Sequence, residues 1–114
     1  MAVAFTVNTT PSMGEWDIVD GYSTDVSTAQ ALLASSSAHN YLVKSITVTI
    51  LSTDRWFKIL NGTTLAVGPV EPRGNYPWHI RYESPMVFTG AVNVQTQSDK
   101  EIHISMCYRK FATP

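Results

Sequence analysis

Apolar and polar residues alternate along most of this chain, and the period is two. In YLVKSITVTIL (41–51), Leu42, Ile46, Val48 and Ile50 fall on one face, while Tyr41, Val43, Ser45, Thr47 and Thr49 fall on the other. Such a strand buries one face and leaves the other semi-polar. WHIRY (78–82) sets Trp78, Ile80 and Tyr82 against His79 and Arg81. EIHISMCYRKF (101–111) places Ile102, Ile104 and Met106 inward, and MVFTG (86–90) and AVNVQTQ (91–97) continue the pattern. WFKIL (56–60) and TLAV (64–67) flank Asn61-Gly62, the strongest short-range hairpin signal, because a type I′ turn needs positive φ at both central positions. Further turn signals are Gly68-Pro69, 71–75 (EPRGN), Ser84-Pro85 and 97–100 (QSDK). Many short strands at this spacing predict an all-β fold, an antiparallel β-sandwich or barrel.

VSTAQALLASSSA (26–38) admits two readings. Val26, Ala29 and Leu33 have helical spacing behind Thr24 or Asp25 as a cap. As a strand, AQALLAS would turn through SSSAHN and pair with 41–51. The Ser run breaks a helix early, so the strand is the favoured reading.

At 114 residues the chain forms one domain with room for a core that needs no covalent staples. Charged residues are only 15% of it, against about 25% in an average protein, and Ser and Thr supply 24 positions. The formal charge of −1 brings no broad attraction to nucleic acid, and the eight Lys and Arg are scattered, with only Arg109 and Lys110 adjacent. A single cysteine, Cys107, forms no internal disulfide and behaves as a small buried hydrophobe. The opening residues lack the basic and apolar regions of a signal peptide, and no apolar run approaches the ~20 residues that span a bilayer. The expectation is synthesis in a reducing cytosol without membrane association.

Catalytic and metal chemistry find little support. His39, His79 and His103 lie at no spacing that converges on a metal, and His103 and Cys107 are separated by roughly 13 Å at strand rise. No Gly-rich phosphate loop or serine elbow occurs. Glu15, Asp17 and Asp20 in GEWDIVDG (14–21) are the one foothold for a paired-carboxylate enzyme. Their spacing matches no Ca²⁺ loop, and the simpler reading is an exposed turn anchored by Trp16 and Ile18. No cofactor is expected.

The aromatics are more informative. NYPWHIRY (75–82) joins three aromatics, a His and an Arg directly after a Pro/Gly-rich loop. Exposed Trp and Tyr anchor protein interfaces and stack on sugar rings. Trp56, Tyr76, Trp78, His79 and Arg81 are therefore the contact-surface candidates, with Asn61 and Gly62 as the hairpin turn.

ALLASSSAHNYLVKSITVTI (31–50), the Asn61-Gly62 turn and the final EIHISMCYRKF strand together resemble small jelly-roll or β-sandwich proteins of tailed-phage particles. The resemblance spans roughly residues 27–111 and is one of strand and turn pattern. It implies a capsid decoration or cement protein that binds major capsid subunits and copies of itself, often as a homotrimer, and hence a place in the virion. Others of that group are spike or tail components that bind a host glycan, and a tail or head–tail connector part is a further structural alternative. Residues 1–25 fall outside the resemblance and are expected to be an irregular N-terminal arm, with residues 26–114 forming the sandwich. The sequence thus leads to a non-enzymatic assembly protein, with a glycan-binding module as the alternative.

Overall fold

The computed structural model describes residues 2–11, 16–51, 56–72, 76–97 and 100–112. Its described elements are all strands: β1 (Thr6–Pro11), β2 (Asp17–Ser23), β3 (Gln30–Leu33), β4 (His39–Ile50), β5 (Phe57–Asn61), β6 (Thr64–Val70), β7 (Trp78–Phe88), β8 (Val92–Thr96) and β9 (Ile102–Ala112). They form two antiparallel sheets, ordered β1-β2-β9-β4-β7 and β3-β8-β5-β6.

The pairing has a simple logic. β2 pairs with β9, β3 with β8, β4 with β7 and β5 with β6, so the chain is one long hairpin folded over into two sheets. The further pairs β4–β9 and β5–β8 join the nested strands side by side. This is a jelly-roll β-sandwich with β1 added at one edge. The β5–β6 hairpin is the tip of the roll.

At that tip Asn61 pairs with Thr64, so the two-residue turn is Gly62-Thr63 rather than the expected Asn61-Gly62. Gly62, at φ 62°, holds the first central position, the placement that a type II′ turn requires. Asn61 is left in the ladder, and its amide is free for another task. Gly68-Pro69, expected as a turn, is instead a cis-linked irregularity within edge strand β6, one of the places where a sheet tolerates proline.

Within the N-terminal 25 residues, expected to be an irregular arm, the described residues 6–11 and 17–23 are strands of the sheet. β1 pairs with β2 in unbroken register from Thr6↔Tyr22 to Pro11↔Asp17, and β2 lies directly against β9. Val19 is fully buried, which the short alternation of Ile18, Val19 and Asp20 does not advertise. Gly21 marks a close approach, since a Cβ there would collide with the Leu32 side chain from the other sheet and meet Phe5 at 3.1 Å.

Residues 30–33 are a strand, as favoured, but β3 pairs with β8 in the opposite sheet and not with β4. The connection from β3 to β4 therefore crosses between sheets, and the Tyr41 hydroxyl donates to the Ala34 carbonyl (2.5 Å) across it. Leu32 and Leu33 consequently bury from the far side of the core.

β4 departs from plain alternation. Its pairing with β9 steps from Val43↔Tyr108 to Ser45↔Cys107, leaving Lys44 as an extra residue. A bulge of this kind reverses which side chains point inward. Tyr41 and Val43 are therefore buried before it, and Ile46, Val48 and Ile50 after it, whereas Leu42 turns outward and is half-buried. On the other flank, Tyr82 to Pro85 of β7 lie opposite Lys44, so Ser84-Pro85 is an irregularity inside one strand rather than a turn between two.

The core lies between the sheets. Val19, Val43, Ile46, Val48, Ile102, Ile104 and Met106 from one sheet meet Phe57, Ile59, Val92 and Val94 from the other, all at 2% exposure or less. β9 alternates as expected, with Ile102, Ile104 and Met106 inward and Tyr108 joining them. The same alternation turns Cys107 outward, half-buried rather than in the core as expected. Burial pushes the hydroxyls of Tyr41, Tyr82 and Tyr108 above their ordinary pKa, and the carboxylate of Asp17 adds to the effect at Tyr108.

Candidate functional site

The contact-surface candidates do not form one surface, because strand alternation divides them. Trp78 faces inward, with its ring 5.2 Å from Phe57 at 67°, and packs against the core. His79 and Arg81 project from the opposite face of β7 and are exposed. Tyr76, just before the strand, is 72% exposed. Trp56 lies at the start of the other sheet, half-buried, its carbonyl accepting from the Gln97 N–H (3.0 Å). The Lys58 ammonium sits 5.3 Å from its ring centroid. Arg55 lies outside the described residues.

Asn61 and Gly62 act as an anchor. The Gly62 N–H donates to the Ala91 carbonyl (2.8 Å). The Gly90 N–H donates to Asn61 Oδ1 (2.8 Å), and Asn93 Nδ2 donates to the Gly62 carbonyl (2.8 Å). The hairpin tip is thus fastened to the β7–β8 turn, which supports a role in the fold for these two residues.

The acidic foothold is dispersed. β2 turns Asp17 and Asp20 to opposite faces, with Asp17 half-buried and Asp20 exposed; Glu15 lies outside the described residues. Among the described residues, no three His, Cys, Asp or Glu side chains gather to hold a metal ion. No helix among them is long and apolar enough to cross a membrane.

A different constellation lies on the outer face of the five-stranded sheet. Register carries one row across four strands: Asp20 on β2, Ser105 on β9, Thr47 on β4 and His79 on β7. The adjacent row holds Tyr22, His103 and Thr49. Asp20, Thr47, Thr49, His103 and Ser105 line an open depression of about 270 Å³, floored in part by Gly21 and Ile104. Ser and Thr are short, so the sheet surface sinks between the larger side chains. His79 Nδ1 lies 2.8 Å from Thr47 Oγ1, and the rings of His103 and Tyr22 meet at 4.6 Å and 52°. The Tyr22 hydroxyl donates to Glu101 Oε1 (3.0 Å), and this bond is the main reason its pKa is raised.

The sequence pattern already assigned Ser45, Thr47 and Thr49 to a semi-polar face. It did not single out Asp20, His103 or Ser105 as neighbours, because their meeting depends on β2–β9–β4 register. Alternation of polar residues in EIHIS against a hydroxyl-rich β4 is the signal that could have paired them.

No family model and no curated protein matches this chain. Among solved structures, it is similar to an RmlC-like cupin protein from Desulfovibrio desulfuricans, at 12% identity over 90% of this chain and 81% of that one, with a TM-score of 0.40. It is also similar to CapF, solved with the inhibitor 3-isopropenyl-tropolone, at 10% identity over 96% of this chain and 31% of that one, with a TM-score of 0.33. At these scores neither likeness carries an argument about function. The assignment to the jelly-roll class rests on the strand order.

Proposed function

We propose that this chain is a non-enzymatic structural protein of a tailed-phage virion that decorates or cements the capsid, binding major capsid subunits and copies of itself as a trimer. The observation that carries the reading is the long strand β7, hydrogen-bonded on one side to β4 and, among the described residues, the edge of its sheet on the other. Just before it Tyr76 is 72% exposed, and along it Val87 is 47% exposed, with His79 and Arg81 projecting from the same strand. Tyr and Arg are the residue types that most often anchor interfaces. The low charge supports the same reading, since a surface packed against neighbours desolvates few ions. The edge β1, six uncharged residues in unbroken register, offers backbone groups to a second copy.

Light scattering behind a sizing column should give three times the 12.6 kDa mass of the chain. The protein should also cosediment with capsids that lack it, and Tyr76→Ala with Arg81→Glu should abolish cosedimentation while leaving thermal stability unchanged. A monomer that ignores such capsids would overturn the proposal.

A further inference from the structure

The geometry points to the outer-face depression as a binding site for a single neutral sugar ring. Three features converge there. The first is a floor of hydroxyls, Thr47, Thr49 and Ser105, drawn from β4 and β9. Each hydroxyl can both donate and accept, which matches a ligand whose own groups are hydroxyls. The second is Asp20, the one carboxylate among the described residues of the lining. An ionised carboxylate only accepts, so its two oxygens can take both hydroxyls of a vicinal diol. The same charge disfavours phosphate, sulfate or acidic sugars.

The third feature is the ring pair. His103 lines the depression and is braced by Tyr22, whose hydroxyl is itself held by Glu101. A ring braced in this way can offer its π face to the C–H face of a pyranose, whereas the opposite wall is polar. At the far end of the row, beyond the lining itself, His79 Nδ1 holds the Thr47 hydroxyl at 2.8 Å and so fixes its orientation.

Size sets the limit. A volume of about 270 Å³ lies just below the ~300–1,000 Å³ of sites for drug-sized ligands, so it takes one ring rather than a chain. The depression is open, so much of the ligand stays in water. For about a dozen ligand heavy atoms, the usual efficiency of binding corresponds to a Kd on the order of millimolar. Repetition of the site in an assembly would raise the effective affinity by multivalency. The site overlaps the capsid-contact reading only at His79 and stands without it.

The test is an amide-proton NMR titration of the intact protein with free glucose, galactose, mannose, fucose, N-acetylglucosamine and N-acetylgalactosamine, with inorganic phosphate and N-acetylneuraminic acid as anionic controls. At least one neutral sugar should shift the amides of Asp20, Gly21, residues 47–49 and residues 103–105 with millimolar saturation. Asp20→Asn should weaken that binding about tenfold or more, the loss expected when a charge-assisted hydrogen bond is removed. Thr47→Val, nearly isosteric and on the surface, should also weaken it while the rest of the spectrum stays native. Silence across all six neutral sugars would overturn the inference. So would equal binding by both variants, or a preference for either anion. None of these outcomes depends on capsid binding or oligomeric mass.

Discussion

Substituting Leu42 and Val43 separately tests the Lys44 bulge directly, because simple alternation and the bulged strand make opposite predictions. Plain alternation through 41–51 puts Leu42 beside Ile46 in the core and turns Val43 outward. In the bulged strand Val43 is fully buried and Leu42 is half-buried on the outer face, opposite Val87 and Arg109. Val43→Ala deletes two carbons from a closed interior. At about 0.8 kcal/mol per buried CH₂ the transfer loss is ~1.6 kcal/mol, and the residual cavity raises it to about 2–3 kcal/mol. Leu42→Ala deletes three carbons, yet at a site already partly in water, so the loss should stay below about 1 kcal/mol. The larger deletion should therefore cost less.

Urea unfolding followed by tryptophan fluorescence measures both, with the midpoint shift read at unchanged m-value. For a stability within the usual ~5–15 kcal/mol, a 2–3 kcal/mol loss is readily resolved. If Leu42→Ala proves more costly than Val43→Ala, the bulge at Lys44 is wrong; the outward placement of Ser45, Thr47 and Thr49 is common to both readings.

Two further outcomes follow from local geometry. Gly62→Ala should cost about 1–2 kcal/mol, because a Cβ there meets nothing within 4 Å and the penalty comes from φ +62° alone. Gly62→Asn should cost less, since asparagine tolerates the left-handed region, and equal urea midpoints for wild type and Gly62→Ala would refute the turn assignment. Asp25 accepts from both the hydroxyl and the N–H of Ser27 (2.6 and 2.9 Å), which lowers its pKa from 3.8 to about 2. A depressed carboxylate contributes stability that is present above its unfolded value and lost as pH falls through the folded one. The melting-temperature advantage of wild type over Asp25→Asn should therefore hold above about pH 5 and shrink toward pH 2; an advantage that grows on acidification would contradict it.

Local chemistry in the sequence was enough to determine the all-β class, the inward positions Ile102, Ile104 and Met106, and the hairpin around residue 62. These depend on side-chain alternation and on the conformational freedom of one glycine, which act over two to four residues. The same chemistry separates Trp78 from His79 and Arg81, since neighbours on a strand face opposite ways. It could not place Val43 inside and Leu42 outside, because a bulge is decided by what lies on the adjacent strands. Nor could it show that β1 and β2 are part of the sheet, that β3 pairs across the sandwich with β8, or that Asn61 fastens the hairpin tip to Gly90.

The depression is the clearest case of tertiary control. Asp20, Thr47, His79 and Ser105 come from four strands, and nothing within any one segment points to the other three. They meet because β2, β9, β4 and β7 lie side by side in one register, and that register is set by burying the opposite faces of those strands. The apolar residues chose the alignment, and the polar row on the far side came with it.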